Sequence, residues 1–173
     1  MKVRFVVLCL TAAAMLISCK KNGDSPTQIP ETPPPVSYSN VKILQVKFKG
    51  YPLTEANGAG WDNNSGPDLY FALADQAGTI LVNGKPTTIP NMTTDKLPIT
   101  INLTQAFAIT NLKTKFKLLV YDNDNDDFPS NADDYMGGYE FSMEGFKALD
   151  YPKTILVSNS SSQLKLEFLV EWY

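Results

Sequence analysis

Short segments in which hydrophobic and polar residues alternate recur along the chain from about residue 40 onwards. The clearest is Leu164–Trp172, where every second residue is hydrophobic and most of the intervening ones are charged. Residues 116–120 and 44–48 follow the same period of two, so Leu44, Val46 and Phe48 are expected to point in one direction. A period of two with one polar face predicts antiparallel β-strands that cover a core.

Five further segments have strand character, namely residues 68–74, 79–82, 99–103, 139–143 and 154–157. Residues 76–78 and 159–162 have the composition of turns. Asn83-Gly84 predicts a two-residue hairpin, because a type I′ turn requires positive φ at both central positions. Residues 144–150 have room for one helical turn. About eight short strands with polar loops predict an all-β protein, an antiparallel eight-stranded β-sandwich.

The first 19 residues have the pattern of an export signal. A basic start is followed by a 13-residue apolar run, residues 5–17, which is too short to span a bilayer comfortably. The run ends in Leu16-Ile17-Ser18-Cys19, which resembles the lipobox of bacterial lipoproteins, whose cysteine is acylated and becomes the first mature residue. Cys19 is therefore the predicted lipidation site and membrane anchor. The alternative is an ordinary secretory signal in which Cys19 has no role.

Residues 20–39 are polar and proline-rich, and such a segment has too little hydrophobic surface to fold. They are predicted to form a disordered tether that precedes a single domain, residues 40–173. In enteric lipoproteins, a residue other than aspartate directly after the acylated cysteine favours the outer membrane, and Lys20 after Cys19 resembles this pattern. The lysine-rich start also resembles lipoproteins of the Bacteroidota. An outer-membrane lipoprotein is expected, and whether it faces the periplasm or the cell surface stays open.

The composition argues against several functions. The chain has no histidine, and its two cysteines are Cys9, which is lost with the signal, and the acylated Cys19. The mature protein therefore has no imidazole or thiol for catalysis, and it has no Gly-x-Ser-x-Gly motif. Without Lys2 and Arg4, the 15 basic residues fall to 13 against 18 acidic ones. We expect a non-catalytic protein that does not bind nucleic acid, since a basic stripe is missing.

Two clusters of aspartates lie at the ends of different predicted strands. The first contains Asp62 and Asp68, and the second runs from Asp122 to Asp134 and includes Asp124, Asp126 and Asp127. If the two loops meet, their carboxylates cannot all stay ionised close together without a cation. Oxygen ligands at this density suit calcium, which takes six to eight of them. Ordinary surface turns, which are rich in the same residue types, are the alternative for either cluster.

The spacing of these aspartates resembles that of C-two domains, the eight-stranded sandwiches of calcium-dependent lipid binding. In that family two aspartates six positions apart precede a short aromatic-containing strand, as Asp62 and Asp68 do here. Its third loop begins with Asp-x-Asp after a hydrophobic strand and ends with an aspartate before two apolar residues and a glycine, as in Asp122, Asp124 and Asp134. The resemblance covers about residues 40–173 and implies that these five residues bind calcium.

The stretch between Asp124 and Asp134 is longer than in C-two domains, and its Asp126 and Asp127 are additional candidate ligands. An EF-hand loop matches less well, because its sixth position, a glycine in EF-hands, is Asp127. Trp61 and Phe128 stand beside the two clusters at predicted loop tips, where large apolar side chains are usually unfavourable. Each is either a contact for a partner or a side chain packed under its own loop.

The sequence therefore favours a calcium-binding, non-catalytic interaction module displayed as an outer-membrane lipoprotein. Its ligand at the calcium loops would be a lipid, a glycan or a protein. The alternative is a metal-free structural or adhesive β-sandwich lipoprotein, accessory to a glycan-uptake or cell-envelope complex. A calcium-dependent change in thermal stability would separate the two.

Overall fold

The computed structural model describes residues 37–62, 65–124 and 132–173. The chain divides after Pro35 into two units, and all described residues belong to the second, Val36–Tyr173. Helical structure in the described residues is limited to α1, Glu144–Lys147, and two 3₁₀ turns, Lys85–Thr87 and Thr94–Lys96. The described residues form eight strands, which are β1 Val41–Gly50, β2 Leu69–Ala74, β3 Ile80–Asn83, β4 Ile99–Ile109, β5 Phe116–Asp122, β6 Asp134–Phe141, β7 Thr154–Asn159 and β8 Leu164–Trp172.

The strands form two four-stranded sheets. Sheet A has the order β4-β1-β8-β7, and sheet B has the order β3-β2-β5-β6. Every neighbouring pair is antiparallel. The prediction of an all-β antiparallel protein is confirmed, and two sheets around a shared core are consistent with the predicted β-sandwich.

One hydrophobic core lies between the sheets. In β8 all of the residues predicted to face inward are buried, whereas Lys165 and Glu171 are exposed. Phe168 of sheet A packs on Phe141 of sheet B, with ring centroids 5.3 Å apart. Burial of large side chains such as these supplies most of the stabilisation of a domain of this size.

Strand β1 departs from the predicted alternation because it contains a β-bulge. Its register with both neighbours shifts between Ile43 and Gln45. Ile43 and Val46 are both fully buried, whereas Leu44 is partly exposed. The prediction that Leu44 faces the same way as Val46 is wrong, because the bulge changes the phase of the strand.

The predicted hairpin at Asn83-Gly84 is also wrong. Gly84 has φ −85° and ψ −5° and begins a 3₁₀ turn. Its N–H donates to the Phe71 carbonyl at 2.9 Å, and a Cβ at this position would lie 2.3 Å from the same oxygen. Glycine is thus required here for the close approach to β2. The hairpin between β2 and β3 turns instead through residues 75–79, with Gly78 at φ 91°.

One end of the sandwich, which we call the loop end, gathers three connections between strands. Asp122 pairs with both Leu69 and Asp134, so β5 ends there while β2 and β6 begin. The connections that follow β1 and β3 meet at this end too, because the hydroxyl of Tyr51 donates to the Met92 carbonyl at 2.9 Å.

The chain enters and leaves the sandwich at the opposite end. Asn40 and Tyr173 exchange two backbone hydrogen bonds of 3.1 and 3.0 Å. Val41, the first residue of β1, pairs with Trp172 at the end of β8. The aspartates at the end of β5 therefore lie at the far end of the strands from residue 40.

Replacing the core residue Leu118 with alanine should destabilise the protein by about 3–5 kcal/mol, because it removes packing and leaves a cavity. Leu118 is 0% exposed in the inner strand β5, whereas Leu156 in the edge strand β7 is 56% exposed. Leu156→Ala is the matched control and should change stability by less than about 0.5 kcal/mol. Chemical denaturation measures both, and equal losses in the two variants would contradict this arrangement of the core.

Candidate metal centre

Three aspartate side chains converge at the loop end. Asp122 is the last residue of β5, Asp124 follows two positions later, and Asp62 lies in the connection between β1 and β2. One carboxylate oxygen from each lies within 4.8 Å of those of the other two. We call these residues the aspartate triad. Among the described residues it is the group of acidic side chains that meets the geometry of a metal site.

Backbone groups of sheet B hold two members of the triad in place. The N–H of Asp68, just before β2, donates to Asp122 Oδ1 at 2.6 Å. The N–H of Asp134, the first residue of β6, donates to Asp124 Oδ2 at 3.1 Å. Because the starts of two strands position these carboxylates, the fold itself organises the site.

The loop that carries Asp62 is held against the connection between β3 and β4. Asp62 Oδ2 accepts a hydrogen bond from the Ser65 hydroxyl at 2.9 Å. Met92 donates its N–H to the Pro67 carbonyl at 2.8 Å. A Cβ on Gly66 would lie 1.9 Å from the Met92 carbonyl oxygen, so only glycine allows the two backbones to come this close.

Within the described residues, one carboxylate oxygen of the triad is buried without a hydrogen-bond donor. It is Asp122 Oδ2. Asp122 as a whole is 0% exposed. A buried acceptor without a partner costs about 1–3 kcal/mol, and more if it is charged. In native proteins such a group calls for a proton, a water molecule or an ion.

The surroundings of Asp122 favour its neutral form. Burial raises the pKa of its carboxyl most, and the nearby charges of Asp62, Asp124 and Asp68 raise it further. The hydrogen bond from the Asp68 N–H works in the opposite direction. The result is a pKa of about 7, against an ordinary value of 3.8. A cation would reverse this preference, because it attracts the ionised carboxylate.

The donor set of the triad fits a hard divalent cation. All of its ligand atoms are carboxylate oxygens, which are the ligands that calcium and magnesium prefer. Two oxygens bound to the same calcium at about 2.3–2.6 Å lie at most about 5 Å apart. The triad oxygens, all within 4.8 Å of one another, satisfy this limit. They leave further coordination positions for other oxygens.

Asp68, another aspartate predicted to bind the ion, has a different contact. Its Oδ1 accepts the N–H of Asn91 at 2.7 Å, which ties the start of β2 to the connection between β3 and β4. Its backbone also contacts the second cluster, because its carbonyl accepts the N–H of Asn123 at 3.0 Å. Asp68 therefore lies next to the triad and is not part of it.

The other residues predicted at the site divide into two groups. Asp134 has an exposed side chain and contributes its backbone N–H to Asp124. Asp126, Asp127 and Phe128 lie outside the described residues, and their predicted roles stay predictions.

Trp61 lies partly buried against the core beside the triad. Its Nε1 donates to the Pro52 carbonyl at 2.7 Å. This corresponds to the alternative in which the side chain packs under its own loop. A contact between Trp61 and a partner stays a prediction.

A polar cluster around Asp133 had no role in the predictions from sequence. Lys85 Nζ lies 2.7 Å from both carboxylate oxygens of Asp133, and the Tyr70 hydroxyl donates to Oδ2 at 2.6 Å. Partial burial opposes ionisation of Asp133, but hydrogen bonds from Lys85 and Tyr70 outweigh it and hold the carboxyl pKa below its usual value. Lys85 is 48 positions away in the chain, so no local spacing could have revealed this pair.

Comparison with models of known protein families gives no match to this chain, and comparison with curated protein sequences gives none either. The likeness to C-two domains therefore rests on the spacing of the aspartates. In the part of the chain that the structure describes, no helix is long and apolar enough to cross a membrane.

The raised pKa of Asp122 predicts that the calcium-depleted protein becomes less stable as the pH rises from about 4 to about 7. The folded state keeps a proton on Asp122 that the unfolded state releases, so the free energy of unfolding falls through this window. Between pH 5 and pH 8 the fall should be about 2–3 kcal/mol, since one pKa unit is worth about 1.4 kcal/mol.

Urea denaturation at several pH values measures this fall. Asp122→Asn should remove most of it, and the chain has no histidine to titrate in the same range. A wild-type protein whose stability is constant between pH 5 and pH 8 would show that Asp122 does not take up a proton.

Proposed function

We propose that this protein binds a divalent cation, calcium, at its loop end and acts as a non-catalytic interaction module. The observation that carries the proposal is the carboxylate of Asp122. It is fully buried and lies within 4.8 Å of two other carboxylates, and one of its oxygens has no hydrogen-bond donor among the described residues. A cation among the three would satisfy that oxygen and remove the repulsion between like charges.

Calcium is the ion that the ligand chemistry favours. Zinc and copper sites usually include histidine or cysteine, and the chain has no histidine and only Cys9 and Cys19. Magnesium requires near-ideal octahedral geometry, whereas calcium accepts six to eight oxygens in flexible arrangements. Loops that already offer three carboxylates suit the second type of site.

The position of the triad supports a role in recognition. It lies at the end of the sandwich opposite Asn40 and Tyr173 and is built mainly from connections between strands. In the lipoprotein that we propose, Cys19 carries the lipid and residues 20–39 link it to the domain on the outer membrane. The C-two-like loops would then bind a lipid, a glycan or a protein, with the cation as part of the contact.

A metal-free structural or adhesive lipoprotein is the second candidate, and one observation favours it. The pKa of Asp122 is about 7, so a proton could neutralise this carboxyl near neutral pH in place of a cation. In that case the loops would be complete without calcium. The two candidates differ in their response to calcium.

Calcium at about 5 mM should stabilise the mature protein by about 1–2 kcal/mol, given the dissociation constants of about 10⁻⁴–10⁻³ M that are typical of extracellular modules. Asp122→Asn and Asp124→Asn should each abolish most of this increase, because each removes a charged ligand. Thermal denaturation in calcium and in chelator measures it. Identical wild-type melting temperatures in the two buffers would favour the metal-free candidate.

Asp68→Asn is the matched control for these variants. It removes one negative charge beside the triad but keeps an Oδ1 acceptor for the Asn91 N–H and the backbone N–H that holds Asp122. It should retain most of the calcium-induced stabilisation. If it abolishes the increase as fully as Asp122→Asn does, Asp68 is a ligand, as the resemblance to C-two domains implies.

Lipid attachment should depend on Cys19 alone. Cys19→Ala leaves a chain without the thiol that the lipoprotein pathway acylates, so the protein should lose its fatty acid and no longer pellet with membranes in its processed form. Metabolic labelling with a fatty acid, followed by membrane fractionation, measures both. Label on the Cys19→Ala protein would refute the assignment.

A further inference from the structure

We propose that a hollow on the outer face of sheet B binds one ring of a neutral carbohydrate. The hollow has a volume of about 450 Å³. Tyr70 and Ala72 occupy alternate positions of β2, so a large side chain is followed by a small one on the same face of the sheet. Among the described residues, Tyr121 and Ile80 from the two neighbouring strands add to the apolar walls. A ring-sized space with apolar walls results.

Polar groups stand at the rim of this hollow. Asp133 accepts hydrogen bonds from Lys85 and from the Tyr70 hydroxyl, and all three groups contribute to its lining. Asn83 also lines the hollow. Its Oδ1 accepts the backbone N–H of Lys85 at 3.0 Å, and its Nδ2 group takes no part in that hydrogen bond. Hydrogen-bond donors and acceptors are thus fixed at the rim above the apolar walls, as in small-molecule sites generally.

The charges at the rim favour a neutral ligand over a charged one. Lys85 and Asp133 are paired at 2.7 Å, with side chains 31% and 17% exposed. An anion would be attracted by Lys85 but repelled by Asp133. A cation would be attracted by Asp133 but repelled by Lys85. Hydroxyl groups, which donate and accept, are complementary to both partners at once. A polyhydroxylated ring matches this arrangement.

A row of tyrosines extends from the hollow towards the edge of the sheet. The rings of Tyr70 and Tyr121 stack with centroids 5.2 Å apart, and Tyr121 contacts Tyr135 at 5.6 Å. Tyr135 is 57% exposed. A pyranose ring has an apolar face of C–H groups and a polar edge, and tyrosine likewise joins an apolar ring to a polar hydroxyl. The row would support a second sugar ring next to the one in the hollow.

The carbohydrate site is separate from the triad. Asp62, Asp122 and Asp124 do not line the hollow. Binding of a neutral sugar should therefore persist in chelator, whether or not the loop end binds calcium. This makes failure of the sugar site distinguishable from failure of the calcium site.

Affinity electrophoresis tests the proposal with the full chain in detergent. The gels contain galactomannan, xyloglucan, mixed-linkage β-glucan or starch as neutral probes, and polygalacturonate as an acidic one. At least one neutral polysaccharide should retard the wild-type protein. Ala72→Leu, which fills the hollow, and Tyr121→Ala should each raise the dissociation constant obtained from that retardation at least tenfold. Tyr173→Ala, a tyrosine 42% exposed at the opposite end, should leave it unchanged.

Tyr135→Ala and Asn83→Ala separate loss of binding from loss of folding, because both positions are exposed and the variants should still fold. Each should weaken binding at least threefold and lower the melting temperature only slightly, since each loses one surface contact. The proposal is overturned if no neutral polysaccharide retards the wild-type protein, or if these two variants bind as the wild type does. Retardation by polygalacturonate alone, removed by added salt, would also overturn it and would indicate an ionic surface.

Discussion

Strand pairing places the carboxylate of Asp122 inside the core at the loop end. The arrangement of the loop end depends on how the charge of this carboxylate is neutralised. β5 is an inner strand, and Asp122 pairs with Leu69 on one side and Asp134 on the other. Leu118, Val120 and Asp122 occupy successive inward positions, so the aspartate continues the hydrophobic stripe. It cannot turn to solvent without disrupting two ladders of hydrogen bonds. A proton or a cation would neutralise the charge that burial disfavours.

These two solutions compete with each other in the neutral range. A carboxyl whose pKa is about 7 holds a proton for much of the time at neutral pH, and a metal ion must displace that proton in order to bind. Cation affinity and protein stability are therefore linked to pH through the same residue. A weak site, such as those of extracellular calcium modules, is the expected outcome of this competition. The interaction function proposed for the loops would then follow both calcium concentration and pH.

The sequence allowed much of the fold to be predicted, because an alternating strand needs only local information. The inward residues of β8 were identified from the period of two alone, and so was the antiparallel character of the sheets. Leu44 was misplaced because a bulge is a relation between β1 and its neighbours. Gly84 was misinterpreted because its small size serves an approach to Phe71 and not a turn.

Part of the candidate site was also predictable, because it too depends on local alternation along a strand. Asp122 and Asp124 are alternate residues, so local geometry brings them to one side, and the prediction that they belong together agrees with the triad. Whether a carboxylate from another loop joins them depends on packing across the fold. That packing brings in Asp62, held by the close contact at Gly66, and directs Asp68 to the Asn91 N–H.

The period of two also explains how one strand end serves both proposed sites. Tyr121 and Asp122 are consecutive, so their side chains point to opposite faces of sheet B. The side chain of Asp133 lines the outer hollow, whereas the backbone N–H of the next residue, Asp134, holds Asp124. A cation that fixes the triad would therefore also fix the backbone beside the hollow. The two sites use different side chains but share the ends of β5 and β6.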